Sequence, residues 1–440
     1  MRLDDVVLDL LDELAGTWRE VEIFAKRGRS RTLRIGRGVD VSSLRQEEGW
    51  AVRAGDSRRS FFYAASGAPR GDVLWPEADG HGLRLPSARP VPPWNEPADL
   101  ETALLGENEA ASLFDAIARE LDRELPGAQL VQGELEDGAS EEQIVTSRET
   151  RAHVRRRAAS LWLEAQGPRR SAPTLSLLLS EREARRFVPQ AVARRLADRL
   201  AIAERGASPV RDRGEFLLAP AVAIELLRGL ADLWIGPEAL DRVRPLIDRQ
   251  GRMASRAFTL VDDGRLDGGV LDAPVDGEGQ PTRRLTLVDA GVYRQPLVAW
   301  DDVTGAARHD ELRATGCRRR PSWRDLPATG PSHLHLLPDP STSVASLLGS
   351  LSRGYYLLGP TGALHIEAGF KRFALPVAGF AIDGGRPTGS VSGSWLVGSV
   401  PTLLGGVLAV ARDLTFSPVG SGLIGAPTLL VKGLELRHRP

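Results

Sequence analysis

Two acidic turns, a histidine pair and one cysteine are the places where residue type and spacing could support chemistry. The acids read Val261-Asp262-Asp263-Gly264 and then Asp276-Gly277-Glu278-Gly279-Gln280-Pro281-Thr282, with Arg283 directly after. Oxygen ligands gathered in loops suit hard divalent cations. Acid-Gly sequences are also ordinary turns, because Asp accepts bonds from its own backbone and Gly tolerates positive φ. The turn is the reading preferred here. In His333-Leu334-His335 the two imidazoles would share one face of a strand and could reach one metal. A third ligand, His365 or Glu367, would have to come from a separate apolar segment. Cys317 precedes Arg318-Arg319-Arg320, and neighbouring guanidinium groups favour a thiolate. A cysteine nucleophile still needs a positioned base, and His309 is close only in sequence.

Composition narrows the partners. The chain has 57 basic and 58 acidic residues, a formal net charge of -1, so no global field draws it to nucleic acid or an anionic membrane. The locally basic run Arg151 to Arg157, with Arg169-Arg170 beyond it, fits the wet face of a strand that could meet a peptide carboxylate or a partner's acid. Stacking platforms for single-stranded nucleic acid are scarce at 5% aromatic residues. Glycine pairs such as Gly268-Gly269 and Gly405-Gly406 lack the phosphate-loop pattern. Two carboxylates at Asp4-Asp5 stand where a signal peptide needs positive charge. The longest apolar stretch, Trp395 to Ala411, is broken by Gly398, Pro401, Gly405 and Gly406 and reads as short strands and turns. A single cysteine, Cys317, points to a reducing compartment. The expected location is the cytoplasm.

The elements that must position these residues divide at 207–214. An amphipathic helix from Leu3 to Leu14 precedes strands at Glu20 to Phe24 and Thr32 to Gly36, set around a basic loop, Lys26 to Arg31. Trp50 to Arg53 and Phe61 to Ala65 form a hairpin. A helix from Glu107 to Leu125 follows, then strands at Gln129 to Leu135, Gln143 to Ser147, Arg155 to Glu164 and Thr174 to Leu179. A helical stretch, Glu181 to Glu204, is broken near its start by Pro189. Beyond it, short apolar runs alternate with Gly/Pro turns. The expected fold is α+β: a two-layer N-terminal domain over 1–206 and a strand-rich, barrel- or sandwich-like domain over 207–440.

The second acidic turn, followed by Val288-Asp289-Ala290-Gly291-Val292-Tyr293, resembles the TldD/PmbA peptidase family. Gly354-Tyr355-Tyr356-Leu357, Phe380-Ala381-Ile382-Asp383-Gly384-Gly385 and Gly425-Ala426-Pro427-Thr428-Leu429 continue the similarity in the same order. The zinc-bearing members carry His-Glu-x-x-x-His on a helix ahead of this block. Here that helix, Pro220 to Trp234, contains no histidine; the three positions fall on Leu227, Arg228 and Asp232, or on Arg228, Gly229 and Leu233 if shifted by one. The family's third zinc ligand, a cysteine, would fall near Asp413. Leucine and glycine cannot ligate zinc, and arginine stays protonated.

The resemblance therefore implies a metal-free TldE/PmbA-type subunit, with no cofactor of its own and no catalytic residues. It implies a TldD-like partner that carries zinc and a chamber that admits unfolded or precursor peptide. Asp262, Asp263, Asp276, Glu278 and Arg283 are the expected chamber or peptide contacts. Two alternatives stand beside it: a hydrolase using a metal at His333, His335 and His365, and a homodimeric peptide-binding protein.

Overall fold

The computed structural model describes residues 3–36, 41–71, 73–91, 93, 104–168, 174–204, 212–301 and 314–438. The N-terminal half is one antiparallel sheet of six strands, ordered β3-β2-β1-β4-β5-β6. Its strands are β1 (Glu20–Gly36), β2 (Val41–Gly55), β3 (Ser60–Ser66), β4 (Gln129–Thr146), β5 (Arg151–Gln166) and β6 (Leu175–Glu181).

β1 and β4 are each continuous, where the sequence suggested two short strands. The basic stretch of β1 is not a loop, because β4 neutralises it in register. Lys26 pairs with Glu142 at 3.3 Å and Arg27 with Glu141 at 2.5 Å. β5 continues this charge ladder: Arg156 reaches Glu142 at 3.1 Å and Arg157 reaches Asp137 at 3.3 Å. Arg157 is buried, not wet, because that pairing takes place inside the protein. Arg169 and Arg170 lie outside the described residues.

Helix α1 (Leu3–Ala15) sets Val7, Leu10, Leu11 and Leu14 against Val21, Ile23 and Ala25 of β1 and against Trp50 and Val52 of β2. Helices α2 (Glu107–Glu124) and α3 (Pro189–Glu204) bury a second cluster against β4 and β5, including Phe114, Ile117, Leu161, Leu163 and Leu196. Glu181 belongs to β6, and Pro189 is the first residue of α3, where its missing N–H costs nothing.

In the C-terminal half, five strands close on themselves. They are β7 (Asp212–Leu218), β14 (Arg353–Pro360), β16 (Arg372–Asp383), β17 (Arg386–Ser399) and β21 (Leu429–Arg437). β14 pairs with both β7 and β16, and β21 joins β7 to β17, so the ring is a closed barrel. β15 (His365–Ile366) and β18 (Val407–Val410) attach to β16 and β21. A second sheet runs β10-β9-β8-β13-β20-β19: Val292–Tyr293, Arg284–Asp289, Leu260–Asp263, His333–Leu336, Gly422–Ala426 and Thr415–Val419. β11 (Arg318–Arg319) and β12 (Ala328–Thr329) form a small ribbon. Helix α4 (Pro220–Leu230) packs against both β14 and β20, and one continuous core fills the space between. Val400–Gly405 forms a short helix inside the stretch expected to be strands and turns, because Ser399 caps it and Pro401 suits its first turn. Among the described residues no helix is long and apolar enough to cross a membrane.

Candidate functional site

Of the polar groups that the sequence singled out, the acidic turn with Asp276 and Glu278 reaches the seam between the two halves. Residues alternate faces along a strand. In β1, Val21, Ile23 and Ala25 face α1, so Glu22 and Phe24 face the other way, toward the C-terminal half. Arg53 of β2 donates to both carboxylate oxygens of Glu22, at 2.9 and 2.6 Å, and to Glu278 at 2.9 Å. Arg320 also donates to Glu22, and its guanidinium lies 4.4 Å over the Phe24 ring. Burial alone would raise the Glu22 carboxyl, but Arg320 and Arg53 outweigh it and hold the group at about 2. For Arg53, burial works against the charge, yet Glu22 and Glu278 raise its pKa above the ordinary arginine value. A buried ion cluster bridging the halves is the result.

Packing closes the same seam. Trp323 lies so tightly over Gly49 of β2 that a Cβ there would sit 2.1 Å from the indole. Gly279 has φ +75° and faces Thr150, whose Cγ2 would stand 2.4 Å from a Cβ. Only glycine satisfies both the backbone and the space at that position.

The acidic turn itself is held by backbone. Asp276 accepts from the N–H groups of Glu278 (2.9 Å), Gln280 (3.0 Å) and Arg318 (3.0 Å). Burial and the neighbouring Glu278 push its carboxyl up to about 6. Asp262 accepts from Ser332 N–H at 2.8 Å and is likewise raised by burial to about 6, against the pull of Arg319. Asp263 accepts from Arg265 N–H at 3.0 Å. Thus Asp276 and Glu278 join the seam, Asp262 and Asp263 sit on β8 beneath it, and Arg283 stands exposed at the edge of a pocket of about 130 Å3 that Asp276 and Glu278 also line.

The histidines are elsewhere. His333 and His335 are buried on β13, edge-on to Phe416 at 5.5 and 5.4 Å. His333 Nδ1 lies 2.8 Å from the Asp263 carbonyl, and its Nε2 accepts from Leu271 N–H at 3.2 Å. Both ring nitrogens are therefore engaged with backbone, and burial lowers the pKa to about 4. Burial lowers His335 as well. His365 is exposed on β15, beside Trp395 at 5.6 Å, and joins neither of them. Among the described residues no three His, Cys, Asp or Glu side chains group as metal ligands. Cys317 is buried, and His309 lies outside the described residues.

On α4, Leu227 is buried in the main core, and Arg228 is exposed and paired with Glu225. Gly229 lets Leu364 and Ile366 press against the helix, where a Cβ would come within 2.4 and 2.8 Å. Asp232 is exposed in the 3-10 turn that follows, and Leu233 is fully buried. Asp413 accepts from Thr428 N–H at 2.9 Å and Thr428 Oγ1 at 2.7 Å, fixing the approach to β21. One hydrocarbon, one guanidinium and two carboxylates, one of them exposed and the other committed to a threonine, do not make a zinc site.

The seam residues Glu22, Arg53 and Trp323 were not singled out by sequence reasoning, and Arg320 was noted only as a neighbour of Cys317. The available signal was Glu22 standing inside the apolar run Val21-Glu22-Ile23-Phe24-Ala25, a buried-strand pattern with one charge in it.

The sequence model of the PmbA/TldA metallopeptidase C-terminal domain matches residues 212–438. The solved TldE from Thermococcus kodakarensis superposes with a TM-score of 0.79 at 17% identity, covering 98% of this chain and 99% of that one. A Thermotoga maritima protein described as a modulator of DNA gyrase gives 0.80 at 15% identity, covering 99% and 100%. At those identities the likeness is one of fold. The metalloprotease TldD homologue of Buchnera aphidicola from Schizaphis graminum is 24% identical over 175 residues, 40% of this chain and 35% of that protein. A Methanocaldococcus jannaschii protein is 29% identical over 125 residues, 28% of each. The chain thus matches about a third or less of the length of these curated relatives.

Proposed function

Since this chain belongs to the PmbA/TldD metallopeptidase family, we propose that it serves as a TldE/PmbA-like subunit without a catalytic metal of its own. In this reading it pairs in the cytoplasm with a TldD-like chain that carries zinc. It shapes the chamber between them and guides unfolded or precursor peptide to the partner's metal. The observation that carries the proposal is the chemistry of α4. Where the zinc-bearing relatives place their ligands, α4 puts Leu227 into the core and leaves Arg228 in solvent, and the turn after it leaves Asp232 there. In this reading the extended peptide is contacted by strand addition, backbone to backbone.

Co-expression with a TldD-like protein tests the proposal. The expected result is a stable pair holding one zinc, with peptide cleavage by the mixture and none by this chain alone. Stoichiometric zinc and cleavage from the isolated chain would overturn it, and loss of both on replacing His333 and His335 would establish the self-sufficient hydrolase. Failure to pair with any zinc-bearing chain, with peptide binding retained, would favour a homodimeric binding protein.

A further inference from the structure

Beside α4 the barrel wall ends in a short segment that only one strand holds. β14 runs parallel to β7 as far as Leu357, opposite Leu218. There β7 stops: Ala219 N–H donates to the Leu357 carbonyl at 2.9 Å, and Pro220 begins α4. Past this point the chain of β14 keeps its antiparallel partner β16 and has no strand on its other side. Its continuation, 361–371, stays on β16 through few bonds. Thr361 N–H donates to the Pro376 carbonyl at 2.8 Å, and Glu367 N–H to the Arg372 carbonyl at 2.9 Å. Between them His365 pairs with Ala374 and Ile366 with Phe373. β16 does not depend on these bonds, because β17 pairs with it on the far side from Arg372 to Val377.

The segment is seated by apolar side chains. Residues alternate faces, so Leu364 and Ile366 point one way and His365 the other, toward Trp395. Leu364 and Ile366 press on Gly229 of α4 so closely that a Cβ there would collide with both. These two and Phe370 are half-buried against the core, and every other residue of 361–371 is exposed. The turn is strained as well. Phe370 has φ +55°, directly after Gly369 at φ +74°, and a bulky residue adopts left-handed backbone only at a cost. By contrast Phe216, Leu218 and Leu357 of the neighbouring strands are fully buried. Few buried apolar contacts and exposed backbone bonds mark the parts of a fold that open first.

We propose that 361–371 is a latch, seated on α4 by Leu364 and Ile366, that lifts away while the barrel stays closed. Seated, it covers the Gly229 face of α4 and one edge of β16. Lifted, it uncovers an apolar notch beside a row of unpaired β16 backbone groups. The chain therefore keeps that face hidden until the latch opens. The device belongs to this chain alone and does not depend on a zinc-bearing partner.

The test is residue-resolved hydrogen–deuterium exchange on the full chain, corrected for intrinsic rates. The bonded amides of Thr361 and Glu367 should exchange at least about 100-fold faster than that of Ala219, because the latch opens without the barrel. Leu364→Ser and Ile366→Ser each remove one anchor. Each should speed latch exchange about tenfold more, the size of effect expected for a half-buried apolar side chain, and leave Ala219 unchanged. Gly229→Leu tests the contact from the other side: leucine favours the helix more than glycine does, but its side chain takes the notch. It too should speed the latch alone. Exchange of Thr361 and Glu367 in step with Ala219 would overturn the proposal, since the segment would then open only with the barrel. Variants that leave the latch's rate unchanged, or that speed Ala219 equally, would overturn it as well.

Discussion

In the seam, Glu22, Arg53 and Glu278 are buried; on α4 and the turn after it, Arg228 and Asp232 stand in solvent and leucines do the packing. The contrast separates two uses of charge. At the seam a carboxylate is taken out of water only because two guanidinium groups meet it, so the ions fix how the halves join. On α4 leucine fills the core, and Arg228, with Asp232 in the turn that follows, stays at the surface. The seam's ions therefore hold the two halves of the fold together, and Leu227 of α4 serves its core.

The largest expected effect tests the seam. Glu22→Gln leaves Arg53 and Arg320 buried without their shared anion and should cost about 3–5 kcal/mol in urea unfolding. A cost below about 1 kcal/mol would show that water reaches the cluster and that the seam is not a buried lock. Next comes the helix: Leu227→Ala should cost about 2–4 kcal/mol, the usual range for a truncated core leucine. An unchanged midpoint would place Leu227 at an open wall instead of in the core.

The third effect sharpens the comparison through pH. Asp276 titrates near 6 in the folded chain and near 3.8 unfolded. The folded state binds the extra proton, so this group's contribution is full below about 4 and disappears as pH rises through 6. His333 runs the other way: folded near 4 and ordinarily near 6.5, it contributes above 6.5 and loses that contribution as pH falls toward 4. The two slopes oppose each other in one window, so single variants are needed to see either. The cost of Asp276→Asn should be greater at pH 4.5 than at pH 7 by about 2 kcal/mol, and that of His333→Gln greater at pH 7 by a similar amount. Parallel slopes in paired denaturation series would mean that neither group is desolvated as the geometry implies.

How far the sequence announced all this depends on the range of the interaction. The strand-rich C-terminal half was legible from its alternation and Gly/Pro turns, and the barrel follows from pairings that such patterns permit. The continuity of β1 and β4 was not, because Lys26 and Arg27 look like a solvated loop until Glu141 and Glu142, far along the chain, come into register with them. The acidic turn was legible as a turn: Asp276 collects three N–H groups, two of them from its own loop. That its neighbour Glu278 answers Arg53 across the seam could not be read, since no local pattern encodes a contact between a turn and a strand 225 residues away. Glycines told a similar story. Gly279 was visible as part of a turn, while Gly49 revealed its purpose only when Trp323 was found against it.

The smallest expected effect concerns the exposed face of α4. Arg228→Gln and Asp232→Asn should each change unfolding free energy by less than about 0.5 kcal/mol, because neither side chain is buried and the Arg228–Glu225 pair is solvent-screened. On the proposed function this face looks toward the chamber and the partner's zinc. The same variants should then leave the isolated chain unchanged while altering cleavage by the assembled pair, and the two measurements together locate the face. A variant that unfolds more easily alone would return α4's polar residues to the fold, and the division between a charged seam and a structural helix would fail. A variant silent both in unfolding and in the pair's cleavage would move the peptide's path away from α4.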